Sequence, residues 1–274
     1  VRLLRKKARR RAFIDLRPID IGVQAPGAAP LFLGRFDEDA LRHELDEAGV
    51  FAGLARRGYH DVVLRLERVE REHRLLLLPR RARVSLIDLR LAEATLLLRE
   101  LTAGSGDDRV VSVLAIHWLS MQDPRAPFTK ARPRLPGQRH PGLGLGRELM
   151  LRIHQWAASW GKDALVNFPE YYHNAVFYSE LYRFASPPRE GRFQALRRDL
   201  AALSVAEASR AVDEGRVREG LKRRPFVWET GEMLAPLSDH VRAYLESDAY
   251  RDGVAAARAA SRFRLRDAVF KRRA

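Results

Sequence analysis

Three glycines alternate with leucines in Pro141-Gly142-Leu143-Gly144-Leu145-Gly146-Arg147. Glycine tolerates positive φ and has no side chain, so main-chain N–H groups can come close to an anion. The run opens a helical pattern from Arg147 to Trp160. Leu149, Ile153, Trp156 and Trp160 fall on one stripe, Met150 and Ala157 lie beside it, and Gly161 ends it. The first turn of such a helix has N–H groups without intrahelical partners, and the helix dipole favours negative charge there. These features suit a diphosphate. A dinucleotide fingerprint does not fit, because Gly144-Leu145-Gly146 lacks its further glycine and no βαβ unit surrounds it; a P-loop does not fit, because Gly146 precedes Arg147-Glu148 rather than Lys and Ser or Thr.

The elements that would position this loop follow from the patterning. Ala12–Ile21 reads as a short strand, and Gly22–Pro30 as a Gly/Pro/Ala loop. Asp37–Ala48 reads as a helix led by acidic residues, with Leu41 and Leu45 four apart; Val50–Arg57 reads as a second, short helix ended by Gly58. Asp61–Val69, Arg74–Leu78 and Val84–Leu91 read as strands, Gly104–Asp108 as a turn, and apolar Val110–Met121 as a central strand. Five prolines make Gln122–Pro141 a loop, of a length that often forms a lid or substrate wall. Ala164–Phe168 is a strand stopped by Pro169, and His173–Tyr182 a helix. Beyond Phe193 the chain reads as helical, with a capping box at Ser204 and Glu207, a connector at Arg223–Trp228, and one long helix from Ser238 past Gly253. The order predicts an α+β fold, not an alternating doubly wound sheet.

With this order in place, Gly144-Leu145-Gly146-Arg147-Glu148-Leu149-Met150 resembles the Gly-Ile-Gly-x-x-Leu-Leu run of the GNAT acetyltransferase family, with Asn174, Ala175 and Tyr178 in the next helix. The chain looks like a divergent, bacterial-type member. In this register the family's Gln/Arg position is Pro141. Moving to Gly142 and Gly144 restores Arg139 but puts Arg147 where an apolar helix residue belongs, so the helix stripe supports the first register. The resemblance spans roughly Phe13–Pro188. It implies a central mixed, mostly antiparallel sheet flanked by helices, divided as a basic tail (1–12), an acyl-CoA-binding domain (13–190) and a helical C-terminal extension (191–274).

The implied activity is acyl transfer, with acetyl-CoA or another acyl-CoA as co-substrate and a small-molecule or peptide amine as acceptor. Gly142, Leu143, Gly144, Leu145, Gly146 and Arg147 would hold the diphosphate, and Leu119–Met121 would pair with the pantetheine arm. Asn174 would bind cofactor or cap a helix. Tyr178 would protonate the departing thiolate or simply pack. The base would come from His117, Glu170 or His173; against this, His117 also reads as a core histidine, and Glu170-Tyr171-Tyr172-His173 as an aromatic wall loop.

Composition limits the alternatives. The 274 residues include no cysteine, which excludes thiolate chemistry and cysteine-ligated metal and fits a cytoplasmic setting. His117, His140, His154 and His173 lack metal-ligand spacing, so no metal is expected. No apolar run is long enough to span a membrane, and no signal peptide is evident. The net charge of +15 points to an anionic partner, although arginine far exceeds lysine, as a GC-rich coding bias produces, and seven positive charges precede Phe13. Two further readings are therefore a non-catalytic CoA- or anion-binding regulator and a nucleic-acid-binding protein. The second is less favoured, since aromatic residues are sparse among the basic ones. A homodimer is compatible with the sequence.

Overall fold

A computed structural model describes residues 16–18, 31–81, 83–98, 109–220 and 225–266. The expected basic tail and the expected turn at Gly104–Asp108 lie outside these residues. The fold is α+β. A mixed, mostly antiparallel sheet follows the order β2 (Val62–Val69), β3 (Glu72–Pro79), β4 (Ile87–Leu98), β5 (Arg109–Met121), β6 (Ala164–Asn167), β9 (Met233–Pro236) and β7 (Arg183–Phe184). β1 (Leu16–Pro18) pairs with the far half of β4, and β8 (Val217–Glu219) with β10 (Phe263–Leu265) forms a separate ribbon. Among the described residues, only β5 and β6 pair in parallel.

Local chemistry explains the elements nearest the glycine loop. α1 (Glu38–Glu47) starts at Asp37, whose carboxylate accepts the Ala40 N–H at 2.8 Å, and buries Leu41 and Leu45. α2 (Val50–Ala55) follows directly. α3 (Gly146–Ser159) buries Leu149, Ile153 and Trp156 of the expected stripe with Ala157 beside them, while Trp160 is its half-buried C-cap. Side chains alternate across the central strands. Leu114, Ile116 and Leu165 enter one core with α3, while Val111, Val113, Ala164 and Val166 enter a second core with α7 (Asp239–Glu246) and α8 (Asp248–Ala260).

Four expectations need correction. β4 runs on to Leu98 instead of ending near Leu91, because Glu93 is neutralised in place. Its Oε2 lies 2.7 Å from Lys162 Nζ, and Arg35 donates to its Oε1. The helix expected over His173–Tyr182 is only α4 (Tyr172–Tyr178); the chain then turns into β7. Finally, the region after 190 is not simply a helical extension. It holds α5 (Pro187–Asp199) and α6 (Val205–Asp213), the latter with its Ser204–Glu207 capping box, and then returns as β9, hydrogen-bonded between β6 and β7. A boundary at 190 would cut the sheet. The long helix expected from Ser238 is broken at Ser247, which is extended and caps α8 by accepting the Tyr250 N–H.

Candidate functional site

The site begins where two strands part. β6 pairs with β5 only from Val113–Ile116 to Ala164–Asn167, while β5 continues to Met121. At the point of parting β5 bulges. Leu91 faces Ile116 and Arg90 faces Trp118, leaving His117 without an opposite residue on β4. Main-chain direction along the rest of β5 follows from its end. Gln122 N–H donates to Leu86 O on the β4 side, and Asp123 N–H donates to Pro141 O on the other. By alternation, Leu119 and Met121 turn their N–H and C=O groups to the open side. Among the described residues, nothing pairs with them there.

The glycine loop lies against this open end. A Cβ on Gly142 would lie 3.7 Å from Met121 O, and one on Gly146 would lie 3.2 Å from Met121 Cε. Leu143 and Leu145 are buried in the first core and anchor the loop, while Gly144 between them is exposed with φ of 68°. The Arg132 guanidinium donates to Gly142 O. Among the described residues, the N–H groups from Gly142 through Glu148 donate to no protein acceptor. They coincide with the uncapped N-terminus of α3, whose N-cap Leu145 has no side chain able to accept. Arg57 and Arg132 stand beside the loop, and Arg147 is exposed on it, so the surroundings are cationic. The long loop 122–141 crosses from β5 towards the segment after β6. Asp123 accepts from the Tyr59 hydroxyl at 2.7 Å, and Gly137 sits under Tyr171, leaving no room for a Cβ (2.6 Å to Tyr171 Cε2).

The side chains expected to act chemically have different settings. His117 Nδ1 lies 2.7 Å from Glu72 Oε1, and its ring meets Phe168 edge-on at 5.8 Å. A carboxylate can only accept, so Nδ1 carries a proton, and in the neutral ring it is Nε2 that presents the lone pair. That Nε2 is enclosed and has no partner among the described residues. Tyr178 packs against the first core beside Tyr182, burial pushes its phenol up to about 12, and its hydroxyl bonds to no described residue.

His173 is 4% exposed, with Nδ1 2.8 Å from Ser209 Oγ of α6; burial lowers its pKa to about 4. This is the setting of a packed, neutral histidine closed off from solvent. Glu170 is exposed next to Tyr171, whose phenol is raised by burial first and by Glu170 second. Asn174 caps α4, its Oδ1 accepting the Tyr171 N–H at 3.2 Å. The geometry therefore gathers His117, Leu119, Met121 and Gly142–Arg147 around one opening, and gives His173 and Asn174 work inside the fold.

Sequence reading missed several residues. Gly53 packs directly on Leu145, and a Cβ there would lie 2.3 Å from Leu145 Cδ2, so the leucine would have to shift. Glu72 orients His117 from a neighbourhood 45 residues away in sequence. Asn167 ends β6 with both side-chain polar atoms buried and unpartnered. None has a local sequence signal, since each depends on a partner distant in the chain. Among the described residues no group of three or more His, Asp or Glu is placed to hold a metal ion. No helix there is long and apolar enough to cross a membrane. In comparisons with known proteins, the chain matches no protein-family model and no curated protein.

Proposed function

We propose that this protein is an acyl-CoA-dependent N-acyltransferase of the GNAT type, transferring acetyl or another acyl group to a small-molecule or peptide amine. The observation that carries this reading is two adjoining sets of unpaired main-chain groups, among the described residues: the open edge of β5 at Leu119 and Met121, and the amides from Gly142 to Glu148 at the N-terminus of α3. Such an arrangement suits an extended amide-bearing arm joined to a diphosphate. The strand order also supports it, because the parting of β5 from β6 leaves space beside a glycine loop that opens a helix.

In this mechanism the loop amides hold the diphosphate, with Arg57 and Arg132 adding positive charge. Leu119 and Met121 pair with the arm and direct the thioester towards the apex of the opening. The amine nitrogen attacks the thioester carbon, its proton passes to His117 Nε2, and Glu72 keeps the ring in the required tautomer. As the C–S bond breaks, Tyr178 gives its proton to the departing thiolate. A phenol raised to about 12 is protonated throughout the neutral range, as an acid must be.

Titration calorimetry with acetyl-CoA, paired with a thiol-release assay over a panel of amines, tests this reading. Binding at one site with amine-dependent release of free thiol is the expected result. Binding without release would leave a CoA-binding regulatory protein. No binding would end the acyl-CoA assignment.

A further inference from the structure

Among the described residues, Asn167 is the one whose buried side-chain amide has both polar atoms without a partner. It is 2% exposed, and neither Oδ1 nor Nδ2 has a hydrogen-bond partner among the described residues. Buried amides are normally paired, and an unpaired one destabilises the fold. Its strand neighbours offer nothing polar: Ile116 lies beside it on β5 and Met233 on β9, both buried. For stability alone, a leucine would suit this position better. An asparagine kept unsatisfied in such surroundings matches a group that arrives from outside.

Its location indicates which group. Asn167 is the last residue of β6 and pairs with Ile116, the last residue of β5 that β6 reaches. It shares its face with Leu165, hence with the core that receives Leu143, Leu145 and α3. The glycine loop abuts Met121, and at about 3.3 Å per residue the open edge of β5 from Met121 back to His117 spans roughly 13 Å. A ligand whose diphosphate lies on the loop and whose arm follows that edge brings its far end, the thioester, to Asn167. His117 faces the opposite core with Phe168, so the base and Asn167 flank the apex from two sides of the sheet.

On the acyltransferase reading, we propose that Asn167 is a catalytic residue whose Nδ2–H donates to the thioester carbonyl oxygen and stabilises the negative charge that develops there when the amine attacks. Oδ1 then accepts an N–H from the bound substrates. No proton is transferred by Asn167, and its hydrogen bonds strengthen as the carbonyl becomes tetrahedral.

The test uses the full chain and two variants, Asn167→Leu and Asn167→Ala, with three readouts: thermal melting, acetyl-CoA calorimetry, and kcat with the best amine of the panel. For Asn167→Leu we expect melting at or above the wild-type temperature, acetyl-CoA affinity within about threefold, and kcat lowered about 100-fold. If Asn167→Leu does not fold, Asn167→Ala supplies the kcat comparison with the same expected loss. A kcat within twofold of wild type in a folded variant overturns the proposal, as does a melting temperature that falls in step with activity. A wild-type chain that neither binds acetyl-CoA nor releases thiol overturns the acyltransferase reading together with this one, whereas active wild type with active Asn167 variants overturns this one alone.

Discussion

His117 has one ring nitrogen engaged by Glu72 and one enclosed and unpaired, the arrangement of a base waiting for a donor. Replacing His117 by Gln removes that lone pair, and kcat should fall at least about 100-fold in the thiol-release assay with acetyl-CoA binding retained. Unchanged turnover would remove His117 from the mechanism. Tyr178 offers a pH test. An acid works while protonated, and its activity is lost as pH rises through its pKa. Burial holds that phenol near 12, so kcat should stay level on the alkaline side to about pH 10. A fall centred near 10 would mark a solvated phenol instead. His117 was legible in the sequence because it lies in an apolar central strand. Glu72 was not, because cross-strand pairs are set by register, and no local pattern announces that this carboxylate comes to face a residue on β5.

At the scale of elements, the loop is held by packing rather than by its own hydrogen bonds. Leu143 and Leu145 fix it from below, and α2 supports Leu145 at Gly53. Gly53→Ala should therefore push Leu145, and the loop with it, out of position. Acetyl-CoA affinity should weaken about tenfold or more, with a stability loss of about 1–3 kcal/mol, the usual range for overpacking. Calorimetry and thermal melting on the same variant check both; unaltered affinity would mean the loop is not held through this contact. Gly144→Val acts directly, because its φ of 68° suits glycine and not a β-branched residue. Loss of binding is expected in a chain that still folds, with a stability loss of about 1–3 kcal/mol from the strained backbone. The stripe on α3 and the glycines ahead of it were plain in the sequence, since both are local periodicities. The extent of β4 was not. Glu93 interrupts the apolar pattern, and only Lys162 and Arg35, from distant segments, make its burial tolerable.

At the scale of the whole molecule, the main sheet is closed late in the chain. β9 is four residues, Met-Leu-Ala-Pro, too short and too ordinary to stand out among helices, yet it lies between β6 and β7 and joins the C-terminal region to the site's own strand. Packing between distant segments buries His73 and His173 and partly buries His154, each in a different element. His73 on β3 accepts the Leu33 N–H, His154 on α3 meets the Tyr182 hydroxyl, and His173 on α4 meets Ser209. Burial lowers the pKa of each, with His173 down to about 4 from the ordinary 6.5. The sign follows from which state takes up protons. Below about pH 6.5 the unfolded chain protonates these rings while the folded chain does not, so stability declines as pH falls, and for His173 the decline continues until about pH 4. His173 alone should contribute a loss on the order of 3 kcal/mol across that window. The depressed carboxyls of Asp199 and Glu207 act in a lower window, as pH falls through their folded-state values, so they do not explain a decline between 6.5 and 5. Thermal melting from pH 7.5 to 4.5 should show the midpoint dropping steadily. In His173→Gln, starting from a lower midpoint, the drop should be shallower by about one proton's worth. A flat wild-type profile, or equal slopes for the two proteins, would mean that His173 titrates alike in folded and unfolded chains and that the core around α4 and α6 is open to water.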